Sequence, residues 1–329
     1  MTATRIGRIM AVAAAVGGWT LTAALLWRTA VPGDLQVPAL AARDVFPPAV
    51  LAETDRFASV LRGLWLASLV AELALLGLLA WHGPALARRL RGGGIARGVA
   101  LLAATLGAAW LVGLPFGAAA HWWRRRHDLT TLGYLDWLLA PWLGLLVTLA
   151  IACLAVAAGM VLARRLGTRW WVAGGPLLAA FGAVVVLVQP LVFAPRFEPL
   201  EDRALAREIA RLGAELGVPG IEVRVRRVHD RTRRANASLH GIGPTRRLIL
   251  WDTLLDGRFT EREVRFVAAH ELAHAARRHL WKGLAWFALL APLPALALAH
   301  GTRPRGGLGE PGAVPLAVLV AVCAQLALL

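Results

Sequence analysis

Polar surface is scarce in this sequence. Charged residues make up 17% of its 329 positions, whereas hydrophobic residues make up 58% and the mean hydropathy is +0.59. An ordinary soluble domain of this length needs far more polar surface, so the composition argues against a soluble globular protein and indicates a membrane protein.

Acidic residues are also few, 20 against 36 lysines and arginines, which gives a formal net charge of +16. In a soluble protein this charge would suggest nucleic-acid binding. Here the arginines cluster at the ends of apolar runs, as at Arg88, Arg89, Arg164 and Arg165, so anionic membrane lipids are the predicted partner and nucleic acid is not. Lysine occurs only at Lys282 and alanine, glycine and leucine abound, which suggests GC-rich coding DNA and a bacterial source.

Cysteine is rare as well. Cys153 and Cys323 both fall inside predicted membrane spans. The sequence therefore has no disulfide framework of the kind that holds a small secreted domain, and both residues are predicted to be packing residues.

Long apolar runs make up much of the sequence. Crossing a hydrocarbon core takes roughly 20 helical residues. Seven runs qualify, at about 9–27, 63–81, 98–116, 137–162, 170–194, 281–300 and 312–329. The first follows Arg5 and Arg8 and is either a signal peptide or a retained helix; its length and the lack of a clean cleavage site favour the retained helix.

The fold class predicted is a mainly α-helical, polytopic membrane bundle with a small α+β domain. Residues 1–194 form the N-terminal bundle of five spans, residues 195–280 the extramembrane domain, and residues 281–329 the C-terminal spans. Within 195–280, apolar residues at helical spacing predict a helix over 201–217. The runs "IEVRVRRV" (221–228) and "RRLILW" (246–251) predict strands, and "ANASLHGIGP" between them predicts an edge strand that leads into a turn.

The segment "TEREVRFVAAHELAHAARRH" (260–279) carries the chemistry. Thr260 and Glu263 form the S/T-x-x-E pattern of a capping box and predict a helix that begins near Glu261. His270 and His274, at positions i and i+4, then lie on one face of the helix, within reach of a single zinc ion. This is the zincin arrangement, so the small α+β domain is predicted to be zincin-like.

Glu271 stands beside these histidines, where a general base of a zinc peptidase is needed to take a proton from the attacking water. His279 would lie about 140° further round a continuous helix than His274, so it is not predicted to bind the same ion. A five-residue pattern can arise by chance, but the capped start, the polar domain and the adjacent span favour a metal site.

These residues resemble the type I CAAX prenyl endopeptidases, membrane zinc proteases related to HtpX. The stretch from "RTRRANASLHGIGPTRRLILWDTLLDGRF" into the HELAH helix follows the family pattern: an Asn-Ala-x-x-x-Gly segment, a strand, an Asp-Thr-Leu-Leu turn and HExxH. "PLVFAPRFEPLED" resembles the entry into the catalytic domain, and "LPFGAAAHWWRRRHDL" the loop after the third span. Five spans ahead of HExxH favour the CAAX-type members over the HtpX-like ones.

The resemblance implies zinc on His270 and His274, Glu271 as general base, and Asn236 and Ala237 on an edge that pairs with an extended peptide by β-augmentation. A plain turn residue is the alternative for Asn236. The resemblance also implies a catalytic domain on the cytoplasmic face, here of a bacterial plasma membrane. The seven arginines of the short loops 82–97 and 163–169 favour the reverse orientation by the positive-inside rule.

One family feature is missing from the sequence. The resemblance implies a third zinc ligand, a glutamate that follows two further spans, but the chain ends at Leu329 within an apolar run. Glu310 is one span away from His274, near the opposite membrane face about 30 Å distant, and Glu72 within the second span is a speculative substitute. The third ligand is therefore expected beyond Leu329, with zinc bound weakly or not at all by this chain.

The function predicted is an integral-membrane zinc metalloendopeptidase. Prenylated CAAX peptides are the family's eukaryotic substrates; for a bacterial source, membrane proteins or lipid-associated peptides are expected. The alternative is a non-catalytic membrane scaffold that holds peptides in the same groove, which the missing ligand favours. A transporter has little support, since neither an inverted repeat nor a pair of broken spans is evident.

Overall fold

The computed structural model describes residues 16–27, 40–193 and 197–327. Its helices are α1 (Val16–Trp27), α2 (Ala42–Val45), α3 (Pro48–Arg89), α4 (Gly94–Arg126), α5 (Tyr134–Leu139), α6 (Trp142–Leu166), α7 (Trp171–Phe193), α8 (Arg203–Glu215), α9 (Glu261–Ala276), α10 (His279–Leu290), α11 (Pro292–Gly301) and α12 (Val314–Ala327). Its strands are β1 (Glu198–Pro199), β2 (Glu222–Arg226), β3 (Ala237–His240) and β4 (Arg247–Trp251).

Five helical segments of the described chain are long and apolar enough to cross a membrane. They are Pro48–Arg89, Gly94–Arg126, Tyr134–Arg169, Trp171–Val188 and His279–Gly301, and they cover the second to sixth predicted runs. The first and last runs contain shorter apolar helices, Val16–Trp27 and Pro311–Ala327, and their outer residues 9–15 and 328–329 lie outside the described part of the chain. The predicted fold class, a polytopic helical membrane bundle with a small α+β domain, is confirmed.

Small residues let the membrane helices approach closely. A Cβ atom on Gly175 of α7 would lie 2.9 Å from Cα of Pro292, the first residue of α11. The core beneath contains Met160 of α6, which is fully buried, and Cys153 packs against that core as predicted. Cys323 is exposed on α12, so the packing role predicted for it is not seen.

The extramembrane domain is a four-stranded sheet with two helices packed on it. The strand order is β1-β2-β4-β3, with β2 and β4 parallel and the other pairs antiparallel, so β3 lies at an edge. Ile209 of α8, Leu272 of α9 and Leu248 and Leu250 of β4 are at most 1% exposed and form the core between sheet and helices. Because α9 carries the histidines and packs against β3, the core fixes the site against a sheet edge.

The N-terminus of α9 has the predicted capping box. The Thr260 hydroxyl accepts a hydrogen bond from the Glu263 backbone N–H at 3.3 Å, and the Glu263 carboxylate accepts one from the Thr260 N–H at 2.8 Å. These bonds satisfy amides that have no partner within the helix, and α9 begins at Glu261 as predicted. Hydrogen bonds from Thr260 hold the pKa of Glu263 below its ordinary value.

The loop after α4 fastens the domain to the membrane bundle. The Thr131 hydroxyl donates to the carbonyl of Asp230 at 2.7 Å, and the Thr130 hydroxyl to that of Arg231 at 2.8 Å. In return, the Thr232 hydroxyl donates to the carbonyl of Leu129 at 2.9 Å. The segment that leads into β3 is thus held by the bundle.

Candidate metal centre

Helix α9 brings the two predicted zinc ligands together. The Nε2 atoms of His270 and His274 lie 3.3 Å apart, and their rings stand at 85° to each other. Two nitrogens about 2.05 Å from one ion at the tetrahedral angle would be roughly 3.3 Å apart. The histidine pair therefore fits zinc.

Glu271 lies in the same cluster and is held from the sheet. The potential ligand atoms of His270, Glu271 and His274 all lie within 4.8 Å of one another. Oε2 of Glu271 accepts a hydrogen bond from the backbone N–H of Leu239 in β3 at 3.1 Å. The carboxylate is half-buried, so this bond fixes its direction while it stays accessible.

The edge strand is open on the side of this cluster. In the described chain β3 pairs with β4 alone, and the Leu239 N–H points at Glu271 instead of at a neighbouring strand. Asn236 extends the pairing with β4, since its carbonyl accepts from the Trp251 N–H at 3.0 Å, and its side chain is exposed. Ala237 is 6% exposed in the domain core, so a peptide can reach only its backbone.

Ser238 and His240 also lie beside the site, although neither was among the predicted site residues. The Ser238 hydroxyl is 2.9 Å from Nε2 of His240. Burial lowers the pKa of His240, the charge of Arg226 lowers it further and the charge of Glu271 acts in the opposite direction, so the net shift favours the neutral imidazole. The alternation of "ASLH" places both side chains on one strand face, which is the signal that could have revealed them.

His279 contacts the opposite side of His274. Its Nδ1 lies 2.6 Å from Nδ1 of His274, whereas Nε2 of His274 faces His270. The helical-wheel argument for His279 assumed one continuous helix, and this assumption is wrong: α9 ends at Ala276 and α10 begins at His279.

A cavity of about 740 Å³ runs from the cluster into the membrane bundle. Its polar lining residues, Ser238, Glu271, His274 and His279, belong to β3 and to the α9–α10 junction, at the site end. Its other lining residues are Leu239, Leu178, Phe181, Gly182, Val185 and Val186 of α7, and Leu280, Gly283, Leu284 and Phe287 of α10. The site therefore opens onto an apolar groove between two membrane helices.

Neither Glu72 nor Glu310 joins the cluster among the described residues. Glu310 follows a loop that packs at the far ends of the membrane helices, where the carbonyl of Gly309 accepts from Nε of Arg164 at 3.0 Å. This placement agrees with the prediction that a span separates Glu310 from the histidines.

Three kinds of similarity connect the chain with known proteins. Residues 199–329 match the family model "Peptidase family M48". The chain is 27% identical over 184 residues to the uncharacterized metalloprotease YhfN of Bacillus subtilis, covering 55% of this chain and 43% of that protein. It is 30% identical over 147 residues to a CAAX prenyl protease 1 homolog of Oryza sativa, covering 41% of this chain and 33% of that protein.

The fold is similar to the crystal structure of Ste24p from S. mikatae. The TM-score is 0.68 at 19% sequence identity, and the match covers 88% of this chain and 70% of that one. The resemblance to type I CAAX prenyl endopeptidases is thereby confirmed, by a region that matches peptidase family M48, by the CAAX prenyl protease 1 homolog and by a fold shared with Ste24p. The chain spans less than half the length of the curated relatives named above. The division at residues 195 and 281 stays a prediction.

Proposed function

We propose that this chain is an integral-membrane zinc metalloendopeptidase in which His270 and His274 hold the ion and Glu271 is the general base. The observation that carries the proposal is the pair of Nε2 atoms 3.3 Å apart next to a carboxylate that the sheet edge orients. Zinc bound there would supply Lewis-acid activation of the water and of the scissile carbonyl. The M48 match and the metalloprotease relatives support it.

The contacts of Glu271 support the proposed role in proton transfer. The Leu239 N–H binds Oε2 and leaves Oε1 to take the proton of the attacking water and to pass it to the leaving amine. The same contact keeps the carboxylate next to the edge strand, where an extended substrate backbone would lie. Proton acceptor and scissile bond are thus positioned by one element.

The peptide would add to the free edge of β3. Backbone pairing gives binding that depends little on sequence, and the exposed Asn236 amide can hydrogen-bond the substrate at the entrance to the strand. Ala237 would contribute its backbone only.

The apolar groove is the observation that supports a proposal for the substrate class. Its membrane part has no polar lining side chain, so an extended peptide placed there would leave backbone N–H and C=O groups unpaired, at several kcal/mol each. A hydrocarbon chain has no such groups, so we propose membrane-anchored or lipid-bearing peptides as substrates.

The test uses detergent-purified protein and two synthetic peptides that differ only in an attached alkyl chain. Because two histidines alone hold zinc weakly, zinc is supplied in excess; we then expect close to one zinc per chain by elemental analysis and faster cleavage of the alkylated peptide. Glu271→Gln should lower the cleavage rate by about 10²- to 10⁴-fold or more while zinc stays bound.

Glu261→Gln, on the first turn of α9, is the matched control and should cleave like wild type. Unchanged turnover in the Glu271→Gln protein would refute the base assignment. Protein that holds no zinc even when zinc is in excess would refute the metal site.

A non-catalytic peptide-binding scaffold is the second candidate. The absence of a third ligand from the cluster favours it: among the described residues, Glu271 supplies the only carboxylate that groups with the two histidines. Wild-type protein that binds both peptides but forms no product with zinc added would favour the scaffold.

A further inference from the structure

His279 occupies an unusual place between a membrane helix and the metal cluster. It is the first residue of α10, and its ring lies 4.8 Å from that of His274, centroid to centroid, at 67°. The shortest contact joins the two Nδ1 atoms at 2.6 Å. His279 therefore meets the one nitrogen of His274 that does not face His270.

The backbone creates this contact by a sharp turn. Arg278 has φ 54° and ψ 37°, the left-handed conformation, which costs an L-residue roughly 1–2 kcal/mol. Helix α9 ends at Ala276 and is capped by Arg277, and α10 then starts at His279 with its ring against that of His274. A continuous helix would have carried the ring away from His274, so the strained residue is what brings the two rings together.

The proton count then assigns the roles. The Nδ1 atoms of His274 and His279 lie 2.6 Å apart, so a hydrogen bond joins them. In such a bond one Nδ1 carries the proton and donates it, and the other Nδ1 accepts. If Nε2 of His274 binds an ion, that ring is neutral and carries its proton on Nδ1, and Nδ1 of His279 must accept. In the opposite assignment the His274 Nε2 would be protonated and could not bind metal.

We propose that His279 is a positioning residue for the metal site: its Nδ1 accepts the Nδ1–H of His274, fixes the tautomer of that ring and aims Nε2 at the position shared with His270. This inference rests on the proposed function, because it assumes a metal on the histidine pair. Acceptors behind a ligating histidine usually contribute about 10- to 100-fold in metal affinity. Because His279 belongs to α10 and also lines the apolar groove, the membrane helix itself sets the geometry of the ligand.

The test measures zinc affinity by chelator competition on the full chain in detergent, without any proteolysis assay. His279→Leu removes the acceptor at similar bulk and should weaken zinc by about 10- to 100-fold. His279→Asn should stay within about 3-fold of wild type, because its side-chain oxygen is attached at the same distance from the backbone as Nδ1 and can accept the same bond. The visible spectrum of the cobalt-loaded protein should change in the Leu variant and not in the Asn variant.

His300→Leu is the matched control, since His300 lies at the end of α11 and bonds only the Leu296 carbonyl within the described chain. Thermal unfolding without metal shows whether each variant folds. If His279→Leu does not fold, His279→Ala with added imidazole replaces it, and imidazole should restore the zinc affinity.

Equal zinc affinity in wild type and His279→Leu would overturn the positioning role and leave the protease proposal standing. Equal losses in the Leu and Asn variants, or no rescue of the Ala variant, would also overturn it, because they indicate packing alone. A wild-type chain that binds no zinc would overturn both proposals together.

Discussion

The deep end of the groove predicts a limit on hydrocarbon length. Phe287 of α10 lies against Gly182 of α7, where an added Cβ atom would clash with the phenyl ring. From His279 to Phe287 the groove follows α10 for eight residues, about 12 Å at 1.5 Å per residue. We expect Phe287→Ala to open roughly one further helical turn, about 5 Å, or room for about four methylene groups.

The size of the effect depends on where the hydrocarbon comes from. Four methylenes taken from water would contribute about 3 kcal/mol. An alkyl chain that comes from the membrane leaves a lipid environment that is as apolar as the groove. Only the difference in packing then contributes to the free energy of binding. We therefore expect about 1 kcal/mol, or roughly a 5-fold gain in kcat/KM, for chains about four carbons longer than the wild-type optimum.

The assay is kcat/KM for one peptide carrying alkyl chains of increasing length, measured in a single detergent. Phe287→Ala should move the optimum to longer chains and leave short chains nearly unchanged. Phe266→Ala is the matched control, because Phe266 is 73% exposed on α9 and does not line the groove. Identical length profiles for wild type and Phe287→Ala, or the same shift in Phe266→Ala, would refute the reasoning.

Two further predictions concern the extramembrane domain. Asn236→Ala should lower kcat/KM about 2- to 10-fold, the worth of one hydrogen bond, at unchanged zinc affinity; equal kcat/KM would exclude a binding role. Asp252 accepts bonds from the Val228 N–H at 2.9 Å and the His229 ring at 2.5 Å. Partial burial alone would raise the pKa of Asp252, but these bonds and those from the His229 and Thr253 N–H groups outweigh it and lower the pKa. Its stabilisation is therefore present above the unfolded value of about 3.9 and lost as the pH falls through the folded value. Thermal unfolding of Asp252→Asn should vary less than wild type between about pH 5 and 2, and parallel profiles would contradict this.

Sequence patterns predicted those parts of the fold that depend on local periodicity. The apolar runs, the capping box at Thr260 and the strands β2 and β4 are each encoded within 20 or so neighbouring residues, at the spacing of a helix or a strand. The contact between Glu271 and the Leu239 N–H joins residues 32 positions apart. No periodicity describes it, because it depends on how α9 packs on the sheet.

The groove also could not be predicted from local sequence patterns. Leu178, Gly182 and Phe287 read as ordinary membrane-span residues in the sequence, and nothing in their runs distinguishes a lipid-facing position from a cavity wall. The distinction arises from the antiparallel pairing of α7 with α10, which places the deep wall of the groove at Phe287 and its polar mouth at His279.

The junction of α9 and α10 is where local reasoning fails for a definable cause. A helical wheel places His279 away from His274 because it assumes that φ stays near −63° through Arg277 and Arg278. One residue with φ 54° reverses that result. Arginine rarely adopts the left-handed conformation, which is typical of glycine and asparagine. Since Arg278 is neither, the sequence contains no signal for a turn at this position. After this turn α10 enters the bundle beside α7, and its first residue, His279, lies against His274. The strained residue at the entrance to the membrane bundle thus determines the surroundings of His274.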